Sequence, residues 1–102
     1  MNSYNYLAAI FAGVFLSNFV PHFVKGIAGD KFPTPFANPP TRGLSSPFLN
    51  VLWALFNLII GLILLNVSKV STSNYLSIAL LFLGFSATSI MLSIAASKKD
   101  QE

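Results

Sequence analysis

Residues 49–67 read LNVLWALFNLIIGLILLNV, a run with no charged residue and no proline. At ~1.5 Å of rise per residue, about 20 helical residues cross a hydrocarbon core ~30 Å thick. The run has that length. Lipid offers its backbone no hydrogen-bond partner, so the segment must satisfy its own N–H and C=O groups as an α-helix. Immediately upstream, Ser46-Pro47 supplies an N-cap residue followed by proline at the first helical position, which marks where this helix opens.

Working outward, two further runs have the same character, Tyr4 to Ile27 and Tyr75 to Ala96, and neither contains Asp, Glu or Arg. Three strands could not close a barrel, so helices are the reading left. The expected fold is an all-α membrane protein with transmembrane helices over about 4–27, 49–67 and 75–96, a loop at 28–48, and residues 1–102 forming a single domain. The stretch Ser68 to Asn74 is short and polar, which predicts an antiparallel hairpin of the second and third spans, with Ser73 or Asn74 capping the third.

Composition agrees with this reading. The chain is 54% hydrophobic and 9% charged, against about 25% charged residues in an ordinary soluble domain. Its surface must face something other than water. The absence of cysteine excludes disulfides and thiolate metal sites. A net charge of +3 could point to nucleic acid, but the basic residues are scattered beside apolar runs, a placement that suits anionic lipid headgroups instead.

Those basic residues also set the expected orientation. Lys25, Lys31, Arg42, Lys98 and Lys99 all fall on one side of a three-span chain, and Lys69 alone falls on the other. The positive-inside bias places the N-terminus outside and the C-terminus, with the 28–48 loop, in the cytoplasm. Tyr4, Tyr6 and Tyr75 then sit at the outer interface, where a phenol buries its ring and wets its hydroxyl. Met1 to Tyr6 carries no Lys or Arg, so the first run is expected to be a retained span rather than a cleaved signal peptide.

Few side chains in the spans carry chemistry. On the first run, Ala9, Gly13, Ser17 and Pro21 recur every four residues, a small-residue stripe that lets another helix approach closely. A second face carries Asn18, His22 and Lys25, and polar groups aligned on a span are costly if they meet lipid. Pro21 frees the Ser17 carbonyl and is expected to kink or loosen the helix. The second run places Asn50, Trp53, Asn57 and Gly61 on one face, and the third offers Ser86, Ser89, Ser93 and Ser97. Asn18, Asn50 and Asn57 read first as interhelical packing, with a ligand or substrate pathway as the alternative. His22, the single histidine, reads as a structural hydrogen-bonding residue or as a proton or ligand site. As a metal ligand it lacks companions.

The loop is the most unusual stretch. Pro33, Pro35, Pro39 and Pro40 forbid a helix, while Phe32, Phe36, Leu44 and Phe48 are too apolar for a disordered linker. It is expected to be ordered, on the membrane surface or against the helix ends, with Lys31, Arg42, Phe32 and Phe36 contacting headgroups or a partner. Pro21-His22-Phe23, Gly26, the run Phe32 to Ala37, the run Gly43 to Pro47 and Asn50 to Trp53 together resemble small bacterial inner-membrane proteins of uncharacterised function. That resemblance covers Pro21 to Asn57 and implies a bacterial inner-membrane location and no particular activity.

Three function classes remain. No nucleophile, phosphate loop or metal motif is assembled, so no catalytic residue, metal or cofactor is expected. An accessory or interaction subunit, or a lipid-facing assembly factor, is the leading expectation. Its partners would be the bilayer, anionic headgroups and a larger membrane complex or a second copy. The alternative is a homo-oligomeric channel or transporter element whose Asn18, His22 and Lys25 face lines a cavity.

Overall fold

The computed structural model describes residues 2–98 and contains three helices long and apolar enough to cross a membrane: α1 (Ser3–Ile27), α2 (Pro47–Ser68) and α3 (Tyr75–Ala96). Lys99, counted above in the basic tail, lies outside the described residues. Each helix begins where a polar side chain replaces a missing backbone acceptor. At α1, Asn2 and Asn5 form a reciprocal capping box, each side-chain oxygen accepting from the other's backbone N–H at 3.2 and 2.9 Å. Ser46 Oγ accepts from Leu49 N at the start of α2, and Asn74 Oδ1 accepts from Ser77 N at the start of α3. Helix α2 ends on Lys69, whose φ of 55° is the left-handed C-cap conformation. Helix α1 continues through Pro21 to Ile27.

Helix α1 lies at the centre. Helix α2 runs antiparallel to it along a ladder of contacts that descends one helix as it climbs the other. Asn5 Nδ2 donates to the Val67 carbonyl at 2.9 Å, and Asn18 Nδ2 donates to Asn57 Oδ1 at 3.0 Å. Next, His22 meets Asn50, and Gly26 abuts Pro47 and Val51. Helix α3 runs parallel to α1 on another of its faces. There Gly13 and Gly84 are pressed so close that a Cβ on Gly13 would collide with the Leu81 carbonyl oxygen, and one on Gly84 with that of Ile10. One turn further along, Ser89 Oγ donates to the Phe85 carbonyl, so Ser17 is the donor in the 2.7 Å bond between the two hydroxyls.

This arrangement corrects the expected hairpin. Helices α2 and α3 follow one another antiparallel, but each packs on α1 and hardly on the other. The reason is the small-residue stripe, in which Ala9, Gly13 and Ser17 are buried and give α3 a closer seat on α1 than α2 could offer. The connection between α1 and α2 is also shorter than the expected 28–48 loop. Pro47 and Phe48 belong to α2, so it covers residues 28–46.

That connection is folded rather than trailing. Phe32 and Ser45 pair as an antiparallel bridge, with N–O distances of 3.2 and 3.0 Å. Thr34, 1% exposed, bonds Ser45 Oγ through its hydroxyl at 2.6 Å and accepts from Phe36 N at 3.1 Å. The prolines bend the remainder into turns closed by Ala37 N and Thr41 N on the Thr34 carbonyl and by Gly43 N on that of Pro39. Asn38-Pro39 is cis and Thr41 has a φ of 64°.

Candidate functional site

The loop end of the molecule gathers most of the sequence-predicted site residues around Asn50. This side chain is fully buried, and its amide group joins the folded connection, α1 and α2 at one point. Its Nδ2 faces three carbonyl oxygens, those of Phe32, Ser45 and Ser46, at 3.0, 3.2 and 3.0 Å. Turning the amide over would set an oxygen against three oxygens, so its orientation is fixed. Its Oδ1 therefore accepts the 2.7 Å bond from His22 Nδ1.

The consequence for His22 is chemical. Its Nδ1 carries the hydrogen, and in the neutral ring the lone pair is left on Nε2. The ring is 4% exposed, with Phe32 edge-on at 5.4 Å between centroids and Trp53 edge-on at 6.5 Å. Among the described residues no hydrogen bond reaches Nε2.

Asn18 and Asn57 obey the same logic one turn away. Asn57 Nδ2 donates to the Trp53 carbonyl at 2.7 Å, so its Oδ1 must be the acceptor that Asn18 Nδ2 meets. Asn18 is thereby oriented too, and its own Oδ1 has no donor among the described residues. Trp53 stacks on Phe56 and packs edge-on with Phe36, while its indole N–H is buried with no hydrogen-bond partner among the described residues.

Asn18 and His22 both line a cavity of about 190 Å³ beneath the folded connection. Phe32, Pro33 and Thr34 cover it, Trp53 forms one wall, and Leu92 with Ala96 brings α3 to the other. No α1 residue before Asn18 lines it, so the space belongs to the loop end alone.

The other predicted residues separate. Lys25 does not line this cavity; it sits half-buried in the last turn of α1, where a cation complements the helix dipole. Asn50 and Asn57 stand behind the cavity and orient His22 and Asn18. Phe32 was expected at headgroups or a partner and is instead buried against His22, because the extended segment alternates Lys31 outward and Phe32 inward. Phe36 and Phe48 face outward, 63% and 72% exposed, and Lys31 and Arg42 are exposed as well.

Sequence reasoning missed two features. Thr34 gave no signal of its pinning role, since a lone threonine among prolines has no periodicity to place it. Arg42 of the connection and Lys98 beyond α3, distant in sequence, line one groove with Thr41 and Ala95. No protein-family model, curated protein or solved structure matches this chain.

Proposed function

We propose that this chain is a small accessory protein of a bacterial inner membrane whose working surface is the loop end, seated on anionic headgroups in the cytoplasmic leaflet. The observation that carries this reading is the groove between Arg42 and Lys98, which brings two cations from separate elements together with the Thr41 hydroxyl. A phosphate placed there meets charge from both sides, and surface cations near an anionic leaflet each contribute ~1 kcal/mol of attraction. The exposed rings of Phe36 and Phe48 suit the same depth. Asp30 is the single acid among residues 2–98, so little opposes an anion.

Orientation is part of the proposal: the loop end is cytoplasmic and the Ser68 to Asn74 turn is outside. The natural chain has no cysteine, so single replacements report sidedness. An impermeant maleimide added to intact cells labels Ser71→Cys and leaves Lys31→Cys unlabelled; the reverse pattern refutes the orientation.

A homo-oligomeric channel would need an interface other than the small-residue stripe, which seats α3 within the chain. Native mass spectrometry from mild detergent tests the choice. Co-purifying anionic phospholipid on a monomer or a hetero-complex supports the accessory reading. A closed homo-oligomer stripped of such lipid contradicts it.

A further inference from the structure

We propose that the cavity beneath the folded connection binds a small, neutral, lipid-soluble alcohol of phenol size, whose hydroxyl donates to His22 Nε2 while its ring lies among Phe32, Trp53 and Leu92. The cavity adjoins the Arg42–Lys98 groove, sharing Thr41 and Ala95 with it, and the proposal does not rest on the groove.

Volume sets the size of the guest. At about 190 Å³ the cavity is somewhat larger than the ~150 Å³ apolar cavity that accommodates benzene. A single ring with a few added atoms therefore fills it. Its walls are largely aromatic, proline, leucine and alanine side chains, which suit an apolar body.

Polarity sets the head group. The two asparagine amides behind the cavity are locked by backbone carbonyls, Asn50 by three of them and Asn57 by that of Trp53. Those locks pass outward: Asn50 leaves His22 presenting a lone pair at Nε2, and Asn57 leaves Asn18 presenting Oδ1. The two residues are four apart on α1, hence neighbours on one face. His22 and Asn18 offer acceptors, while the unpartnered Trp53 N–H and the Thr41 hydroxyl in the same wall are donors, so the cavity asks for a head group that donates and can also accept. A ketone or ether brings only acceptors and would leave the lone pairs of His22 and Asn18 unmet, and a carboxylate would bury a charge as well. An ammonium would donate, but no carboxylate lines the cavity to compensate a buried charge. A hydroxyl on an apolar body is the chemistry that remains.

Trp53 is the only tryptophan in the chain and forms part of the wall, so its fluorescence reports occupancy directly. The full-length protein in nanodiscs would be titrated with 4-ethylphenol and, separately, with its methyl ether, which keeps the ring and loses the donor. The expected result is a saturable Trp53 change with the phenol and affinity about threefold to tenfold weaker for the ether, the range one net hydrogen bond supplies. Ala96→Phe, which fills the space from α3 without touching either asparagine, abolishes saturation. Nitrogen-15 spectra of histidine-labelled protein show hydrogen on Nδ1 in the neutral ring, and the Nε2 resonance shifts on addition of the phenol. Three results overturn the proposal: equal affinity for phenol and ether, a non-saturable response shared by the parent and Ala96→Phe, or a neutral His22 protonated on Nε2.

Discussion

At the scale of single residues, Asn50 does what no other side chain among the described residues does. It gives three backbone carbonyls a donor and fixes the tautomer of a histidine, all from a fully buried position. Interhelical hydrogen bonds within membranes average only ~0.6 kcal/mol. Orphaned buried groups cost more, about 1–3 kcal/mol each in cases where water cannot reach them. Asn50→Leu strands Nδ1 of His22 and takes a second donor from three carbonyls that each keep a backbone N–H, so a loss of about 2 kcal/mol is expected, falling mainly on the connection. Asn18→Leu orphans one buried oxygen, Oδ1 of Asn57, and should cost about 1 kcal/mol. Reversible unfolding of both variants in mixed micelles checks the ranking; equal losses would show that Asn50 is not the latch. The sequence shows that Asn18, His22, Asn50 and Asn57 are polar and in the spans. It does not show which amide faces which partner, because that depends on backbone carbonyls brought in by Phe32 and Ser45 from the connection.

At the scale of elements, two glycine contacts differ in kind. A Cβ on Gly84 would collide with the backbone of α1, whereas one on Gly61 would meet the flexible end of Leu16 at 2.7 Å. Backbone cannot yield without moving a helix, and overpacking of that sort costs about 1–3 kcal/mol. Gly84→Ala is therefore expected to lower the thermal midpoint well below that of Gly61→Ala. A Gly61→Ala loss as large as the Gly84→Ala loss would contradict the close α1–α3 seat.

The same contact explains what the sequence could and could not reveal about the elements. Helix lengths, Ser46-Pro47 and the Asn74 cap were legible because each depends on neighbouring residues alone. The partner of the small-residue stripe was not. A stripe states that something comes close and leaves open whether it is α3, α2 or another copy.

At the scale of the whole molecule, the two ends are unlike. The α2–α3 turn meets α1 through Asn5 donating to the Val67 carbonyl and Asn74 Nδ2 to the Tyr6 hydroxyl at 3.4 Å. The other end holds the folded connection, the His22 cavity and the Arg42–Lys98 groove. Around them α3 buries only Ser77 and Gly84, so most of its apolar surface is left for lipid or a partner helix. The charge asymmetry that pointed to this end was legible in the sequence. The pairing of Arg42 with Lys98 was not, since it follows from the route of the connection across the helix ends.

The central claim is that this end engages anionic lipid through those two cations, and a ligand that binds the folded state raises its stability in proportion to occupancy. The direct measurement is the thermal midpoint of the parent and of Arg42→Gln/Lys98→Gln, each in phosphatidylcholine nanodiscs with and without phosphatidylglycerol. The account predicts a midpoint raised by phosphatidylglycerol in the parent and unchanged by it in the double variant. An equal rise in both proteins, or none in the parent, would contradict it.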